Sequence, residues 1–123
     1  MAGFDVSQLA RIDAAPEVEI ETWAAPGAPR HRVIVWIVAF DGEVYVRSVN
    51  GSRSRWYREL TATYEGVLHV TGERIAIRAL PATDASSIDR CSRGLRRKYA
   101  RDSSLGTMMR PETLPTTLRL EPR

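Results

Sequence analysis

The stretch Val33-Ile34-Val35-Trp36-Ile37-Val38-Ala39-Phe40-Asp41-Gly42-Glu43-Val44-Tyr45-Val46 decides the fold. Its first eight residues are all apolar and rich in β-branched types, and they run directly into Asp41-Gly42. A run of that length, closed by a turn signal, suits a strand buried on both faces better than a helix. Asp-Gly offers the two positive-φ positions that a two-residue hairpin turn requires. Residues 43–49 are then the antiparallel partner.

Upstream, residues 17–23 alternate strictly. Glu17, Glu19 and Glu21 fall on one side, and Val18, Ile20 and Thr22 on the other, which predicts a half-buried strand with a charged outer face. Phe4, Leu9 and Ile12 at helical spacing predict a short helix over 5–13. Residues 24–30, with Pro26, Gly27 and Pro29, read as a loop. Downstream, Asn50-Gly51 breaks the hairpin, and Ser52 or Ser54 caps a helix to about Tyr64 with Trp56 and Leu60 facing the core. A second hairpin follows, 66–71 with 73–80 around Gly72, ended by Pro81. Asp84 caps a longer helix to about Arg101, striped by Ile88, Cys91, Leu95 and Tyr99. Gly94 weakens that helix by roughly 1 kcal/mol relative to alanine. Residues 116–120 form a last strand between Pro115 and Pro122. The order is helix, three strands, helix, two strands, helix, strand. Six antiparallel strands with inserted helices predict a mainly β domain over residues 1–123, a small barrel or a strongly bent sheet.

Composition narrows the function by exclusion. No apolar run reaches the ~18–20 residues of a membrane span, and the first residues, with Asp5, lack the basic apolar leader of a secreted protein. A single cysteine, Cys91, excludes an internal disulfide framework and fits a reducing compartment, the cytoplasm. Two histidines and one cysteine are too few for a zinc cluster. The chain has no phosphate loop ending in Gly-Lys-Thr, no Gly-x-Ser-x-Gly elbow and no His-Glu-x-x-His helix. Any redox or group-transfer chemistry therefore falls to an organic cofactor.

Charge is distributed unevenly. Of the 18 basic residues only Lys98 is lysine, a bias that genome composition can produce. Residues 1–50 carry four arginines against seven acids, a net of −3; residues 51–123 carry 14 basic against eight acidic residues, a net of +6. The most informative part of the basic half is Arg47-Ser48-Val49-Asn50-Gly51-Ser52-Arg53-Ser54-Arg55-Trp56-Tyr57-Arg58. It joins strand to helix and puts Arg53 and Arg55 in or just before the first helical turn. A helix N-terminus already carries about half a positive charge, so arginine there is unfavourable by a few tenths of a kcal/mol. Free amides, serine hydroxyls and guanidinium forks at one spot are what a phosphate needs. Two readings stand: an anion occupies the turn, or long arginines curl back into water.

The same segment resembles the flavin-binding split barrel superfamily, which includes pyridoxamine-phosphate-oxidase-like proteins and deazaflavin-dependent nitroreductases. The likeness rests on Tyr45-Val46-Arg47-Ser48, then Asn50-Gly51-Ser52-Arg53-Ser54-Arg55-Trp56-Tyr57-Arg58-Glu59-Leu60, and a further hairpin. Tyr99, Met108-Met109-Arg110-Pro111 and Thr117-Leu118-Arg119-Leu120 extend it loosely. Within the superfamily the chain looks most similar to small bacterial domains of unknown function. The resemblance implies a six-stranded antiparallel split barrel that binds FMN or a deazaflavin. Arg47, Ser48, Ser52, Arg53 and Arg55 would hold the phosphate, with Trp56 packed behind them. It also implies a homodimer sharing the site and an oxidoreductase acting on a small molecule. The oxidase subgroup favours Arg-Lys after the serine, whereas here Arg53 is followed by Ser54 and then Arg55.

Other residues read more quietly. His31-Arg32 is first a loop-edge pair in water; related barrels bring a basic residue near this point to the flavin. His69, mid-strand, reads as a hydrogen-bonded structural histidine rather than an acid or base. Arg90, Arg93, Arg96, Arg97, Lys98 and Arg101 surround the apolar stripe of the long helix, and a solvated face suits them better than a grip on nucleic acid. Met108 and Met109 fill a core or interface gap, and Cys91 is buried and inert. The rival to the flavin reading is a non-catalytic module binding an anion or nucleic acid, and a third possibility is an unliganded barrel.

Overall fold

The computed structural model describes residues 3–123. In chain order the elements are α1 (Val6–Ala14), β1 (Val18–Trp23), β2 (Arg30–Val35), β3 (Ile37–Phe40) and β4 (Glu43–Val46). They continue with α2 (Arg55–Thr63), β5 (Glu65–Val70), β6 (Glu73–Pro81), α3 (Ala85–Lys98) and β7 (Leu118–Pro122). Tight 3-10 turns lie at Gly51–Arg53, Leu105–Met109 and Leu114–Thr116.

The seven strands form one antiparallel sheet in the order β2-β1-β5-β6-β7-β4-β3. The expected six become seven because the apolar run is two strands, not one. β2 pairs with β1 and β3 with β4, so consecutive strands lie at opposite edges of the sheet. Only Trp36 joins them, and one residue spans at most about 3.6 Å. The sheet must therefore curl until its two edges meet at Trp36, which makes it a split barrel. Trp36 turns away from the interior and stacks on Tyr99, with ring centroids 4.0 Å apart and planes 5° from parallel. Val35 and Ile37, on either side of it, both enter the core.

Burial on both faces, expected of the whole run, holds only for its second half. Ile37, Val44 and Val46 fill the barrel with Ile12, Ile20, Leu60, Leu68, Ile77 and Leu120, whereas Val38 and Tyr45 form a second core with Cys91, Leu95, Tyr99 and Met108 of the α3 side. On β2, by contrast, Ile34 is 57% exposed. Both strands are sheet edges; the difference is that α3 packs on the outer face of β3.

The local signals work as anticipated. Asp41 and Gly42 take φ of 52° and 78°, and Thr71 and Gly72 take 45° and 83°, positive at both positions of each hairpin turn. Asp5 caps α1 in a reciprocal box with Gln8, an arrangement that contributes about 1 kcal/mol. Asp84 caps α3 by accepting from the Ser87 amide at 3.1 Å.

Gly94 has a purpose that helix propensity misses. A Cβ there would lie 3.1 Å from both Cβ and Cγ2 of Val38. Its absence lets α3 sit directly on β3. The lone lysine fastens the same junction: Lys98 Nζ donates to the carbonyls of Ile12 (2.9 Å) and Ile37 (2.7 Å), while the Tyr99 hydroxyl donates to Pro16 (2.7 Å).

Three other basic residues of α3 are engaged in ion pairs: Arg90 with Glu43, Arg93 with Asp89 and Arg97 with Asp13. Cys91 is fully buried, which pushes its thiol up to about 11. The outer face of β1 is less wet than its alternation suggests. Glu21 is buried, accepting from Arg30 (2.9 Å) and lying 2.7 Å from His69 Nε2. The Arg30 guanidinium holds its carboxyl below the usual range, with His69 adding to the effect against the cost of burial. His69 is thus the hydrogen-bonded structural histidine its position implied. No helix among the described residues is long and apolar enough to cross a membrane.

Candidate functional site

The segment between β4 and α2 folds into a tight, internally bonded turn. Gly51 adopts φ +66°, and a Cβ there would lie 3.3 Å from the Glu112 carbonyl oxygen, so glycine is required twice over. The Gly51 amide donates to the Ser48 carbonyl at 3.0 Å. Ser48, fully buried, places its hydroxyl 2.7 Å from the Gly51 carbonyl and 2.8 Å from the Ser54 hydroxyl. One hydroxyl has one proton. Ser48 therefore donates to the carbonyl and accepts from Ser54.

That arrangement leaves α2 uncapped. Ser54 occupies the N-cap position, yet its side chain makes no capping bond because its hydroxyl is turned toward Ser48. The first intrahelical bond belongs to the Arg58 amide, which donates to Ser54 at 3.1 Å. The amides of Arg55, Trp56 and Tyr57 open the helix without a side-chain acceptor.

The predicted phosphate residues divide into two groups. Ser52, Arg53 and Arg55 are exposed at the helix start. Among the described residues nine arginines form ion pairs, namely 11, 30, 32, 78, 90, 93, 97, 119 and 123, and Arg53, Arg55 and Arg58 form none, nor do Arg74, Arg96, Arg101 and Arg110. Arg47, in contrast, is 2% exposed and committed internally. It donates to Thr117 Oγ1 (2.9 Å), Ser92 Oγ (3.1 Å), the Met108 carbonyl (3.0 Å) and the Ile88 carbonyl (3.1 Å). Burial lowers its pKa. Arg47 and Ser48 thus form the frame of the turn, and Arg47 also lines the cleft beside it.

Two adjoining cavities, of about 270 and 310 Å³, share Ile34, Val49 and Trp56 as their common wall. The first is closed by Trp36, Arg47 and Met108, and the second opens past Ser54, Arg55 and His31. Together they make a cleft of small-molecule size with Arg55 at its outer mouth and Glu17 on the lining of its inner half. Trp56 is half-buried against the barrel core, with Tyr57 edge-on to it.

His31 corrects the sequence reading. It sits within β2, not in a loop, directly across from Thr22 of β1. Its Nδ1 lies 3.2 Å from the Glu59 carboxylate, and the Thr22 hydroxyl donates to the same carboxylate at 2.9 Å. Glu59 was not anticipated at all. The only available signal was its place beside Leu60 on the core side of α2.

A curled antiparallel sheet whose two edges are joined at one residue is a split-barrel fold. Over residues 8–120 the chain matches DUF2255, described as an uncharacterized protein conserved in bacteria, and it belongs to that family. No curated protein matches it. Three solved structures show the breadth of the fold. ChuZ from Campylobacter jejuni superposes with a TM-score of 0.72 at 9% identity over 96% of this chain, which spans only 51% of ChuZ. HutZ, the heme storage protein from Vibrio cholerae, gives 0.64 at 13% identity, covering 96% of this chain and 87% of its own. The F420-H2 dependent reductase FDR-A gives 0.66 at 14% identity, covering 86% and 94%. At these identities the likeness is one of fold.

Proposed function

We propose that this domain binds FMN or a related deazaflavin in the cleft beside α2 and serves as a cytoplasmic oxidoreductase acting on a small molecule. The observation that carries the reading is the uncapped start of α2. Three amides without a side-chain acceptor and the guanidinium of Arg55 stand at the mouth of the cleft, and Arg53 lies exposed in the turn just before them. A phosphate satisfies the amides and removes the conflict between cations and helix dipole. The apolar wall of Ile34, Val49 and Trp56 suits a flat ring system. Ser52, Arg53, Arg55 and the α2 amides hold the phosphate. Trp56 supports the ring, and Arg47 and Ser48 keep the turn in shape. The cofactor, when bound, supplies the electron-transfer chemistry that no side-chain constellation in the chain supplies. FDR-A, with the same fold, is named for F420-H2. Val33, Ile34 and Val49 are exposed along the free side of β2, and a second copy of the chain is their fitting cover.

Titration of the purified protein with FMN and F420, followed by fluorescence, tests this directly. Micromolar or tighter binding is expected. Arg53→Ala with Arg55→Ala should weaken it about tenfold or more, the equivalent of ~1.4 kcal/mol, because each lost guanidinium removes a charge-assisted contact. Thermal stability should stay put, since neither side chain pairs within the fold. Equal affinity in the double variant would show the phosphate to be elsewhere. If neither cofactor binds while heme or a single-stranded oligonucleotide does, the proposal fails.

A further inference from the structure

We propose that His31 is the proton-exchanging residue of this cleft, with Glu59 and Thr22 as positioning residues that decide which ring nitrogen serves the ligand. The inference rests on the cleft being the cofactor and substrate site.

The side chain of Glu59 is about 10% exposed, on the inner face of a helix, where an ionised carboxylate is costly unless partnered. The arginine one turn earlier, Arg55, has the i, i+4 spacing of an ordinary helical ion pair, yet no such pair forms. Glu59 instead takes two partners from neighbouring strands, the Thr22 hydroxyl and His31 Nδ1. Thr22 and His31 are cross-strand partners on β1 and β2, so their side chains share the face that looks at α2. The sheet register itself assembles the triad.

This geometry fixes the chemistry of the ring. A carboxylate can only accept, so both Thr22 and Nδ1–H donate to Glu59. In the neutral ring the remaining nitrogen, Nε2, then carries the free lone pair. His31 lines the cavity that Arg55 and Trp56 also line, and its side chain is 34% exposed. Nε2 can therefore take a proton from an O–H or N–H of a cleft ligand, or, once protonated, return it to an oxygen or nitrogen anion. Water restores the starting state in either case. Glu59 keeps Nδ1–H throughout.

His69 is an internal control for this reading. It too meets a carboxylate, Glu21, but through Nε2, and that carboxylate also receives Arg30. Its side chain is 12% exposed, and it lines neither half of the cleft. Glu59 of α2 contacts His31, and Arg55 of the same helix lines the cavity with it. Its β2 neighbours Arg30 and Arg32 turn to the opposite face, toward Glu21 and Glu19.

Long-range proton–nitrogen NMR on the ¹⁵N-labelled full chain tests the assignment, with FMN as the probe. At pH 8 His31 should show a protonated Nδ1 and a bare Nε2, and FMN should move the His31 Nε2 signal but not the His69 signals. In Glu59→Gln the His31 tautomer should change while FMN still binds. His31→Asn should keep FMN affinity within about threefold. It should slow reoxidation of reduced, protein-bound FMN by a quinone about 100-fold, the scale of a lost general acid or base. Thr22→Val should show a weaker version of the same loss, restored by Thr22→Ser. If FMN binds but the Nε2 signal is unmoved and the rate is unchanged, the role of His31 is wrong and the cofactor reading survives. If neither FMN nor F420 binds, both fall; where only F420 binds, it replaces FMN as the probe in the same measurements. Should His31→Asn misfold, the wild-type NMR signals still decide.

Discussion

Replacing Gly94 with alanine opposes two forces whose sizes can be compared. Helix propensity alone says that alanine at an interior position of α3 stabilises by about 1 kcal/mol. Against this, the new methyl would lie 3.1 Å from Cβ and Cγ2 of Val38 and 3.6 Å from Cβ of Phe40. Ordinary carbon–carbon contacts sit near 3.5–4.0 Å. Val38 cannot step aside easily: it is 1% exposed, β-branched and held in the β3–β4 ladder. Nor can α3 lift freely while Lys98 and Tyr99 tie its end to Ile12, Pro16 and Ile37. Overpacking of this kind costs about 1–3 kcal/mol. The net is a loss of about 1 kcal/mol, or roughly 3–5 °C in Tm for a domain of this size. Thermal and urea melts of Gly94→Ala should show it, and Val38→Ala in the same chain should recover more than about 0.5 kcal/mol through coupling. A raised Tm, or strict additivity in the double variant, would refute the claim that Gly94 exists for helix–strand approach.

Arg47→Met should change stability by no more than about 1.5 kcal/mol, because removing the desolvated charge offsets the hydrogen bonds lost at Thr117, Ser92, Met108 and Ile88. Arg47→Ala, which leaves a cavity, should cost about 3 kcal/mol by denaturant titration; similar losses in both variants would mean that the hydrogen bonds, not the volume, matter. Burial lowers Lys98 to about 8 from its ordinary 10.5. Between those values the unfolded chain binds the extra proton, so wild-type stability measured against Lys98→Met should rise with pH from about 8 to 10.5, and a difference flat across that range would contradict the burial.

What the sequence disclosed was what local chemistry controls. Asp41-Gly42 announced its hairpin because the backbone conformation is demanded within two residues. Asp84 announced a helix start for the same reason. The break at Trp36 carried no glycine or proline to mark it. It arises because β2 and β3 must find different partners, a condition set by strands far along the chain. Ser54 was recognised as a cap position, but not that Ser48, brought within reach by the Gly51 turn, would divert its hydroxyl. The Ser52–Arg55 stretch was legible as a possible anion site; Glu59 and its link to Thr22 and His31 were not. A glutamate in an arginine-rich helix looks like ordinary surface, and only the β1–β2 register reveals its partners.

The fold also explains where the excess positive charge goes. The acidic first half and the basic second half neutralise one another where they meet, as Arg90 and Arg119 do at Glu43 and Arg97 does at Asp13. Lys98 is spent on carbonyls and Arg47 is buried. Much of the basic excess is thereby engaged in holding the barrel together. Besides Arg47, seven arginines pair with no acid among the described residues, and three of these, Arg53, Arg55 and Arg58, gather at the start of α2, where their charge is least welcome. Had they been mere surface, pairing with nearby acids or placement near a helix C-terminus would have stabilised the fold more. Beside them β2 leaves Ile34 exposed and Val49 joins it across the cleft. Unpaired cations and uncovered apolar surface are each a small cost when considered alone. Adjacent to one another, they match a ligand that is anionic at one end and flat and apolar at the other.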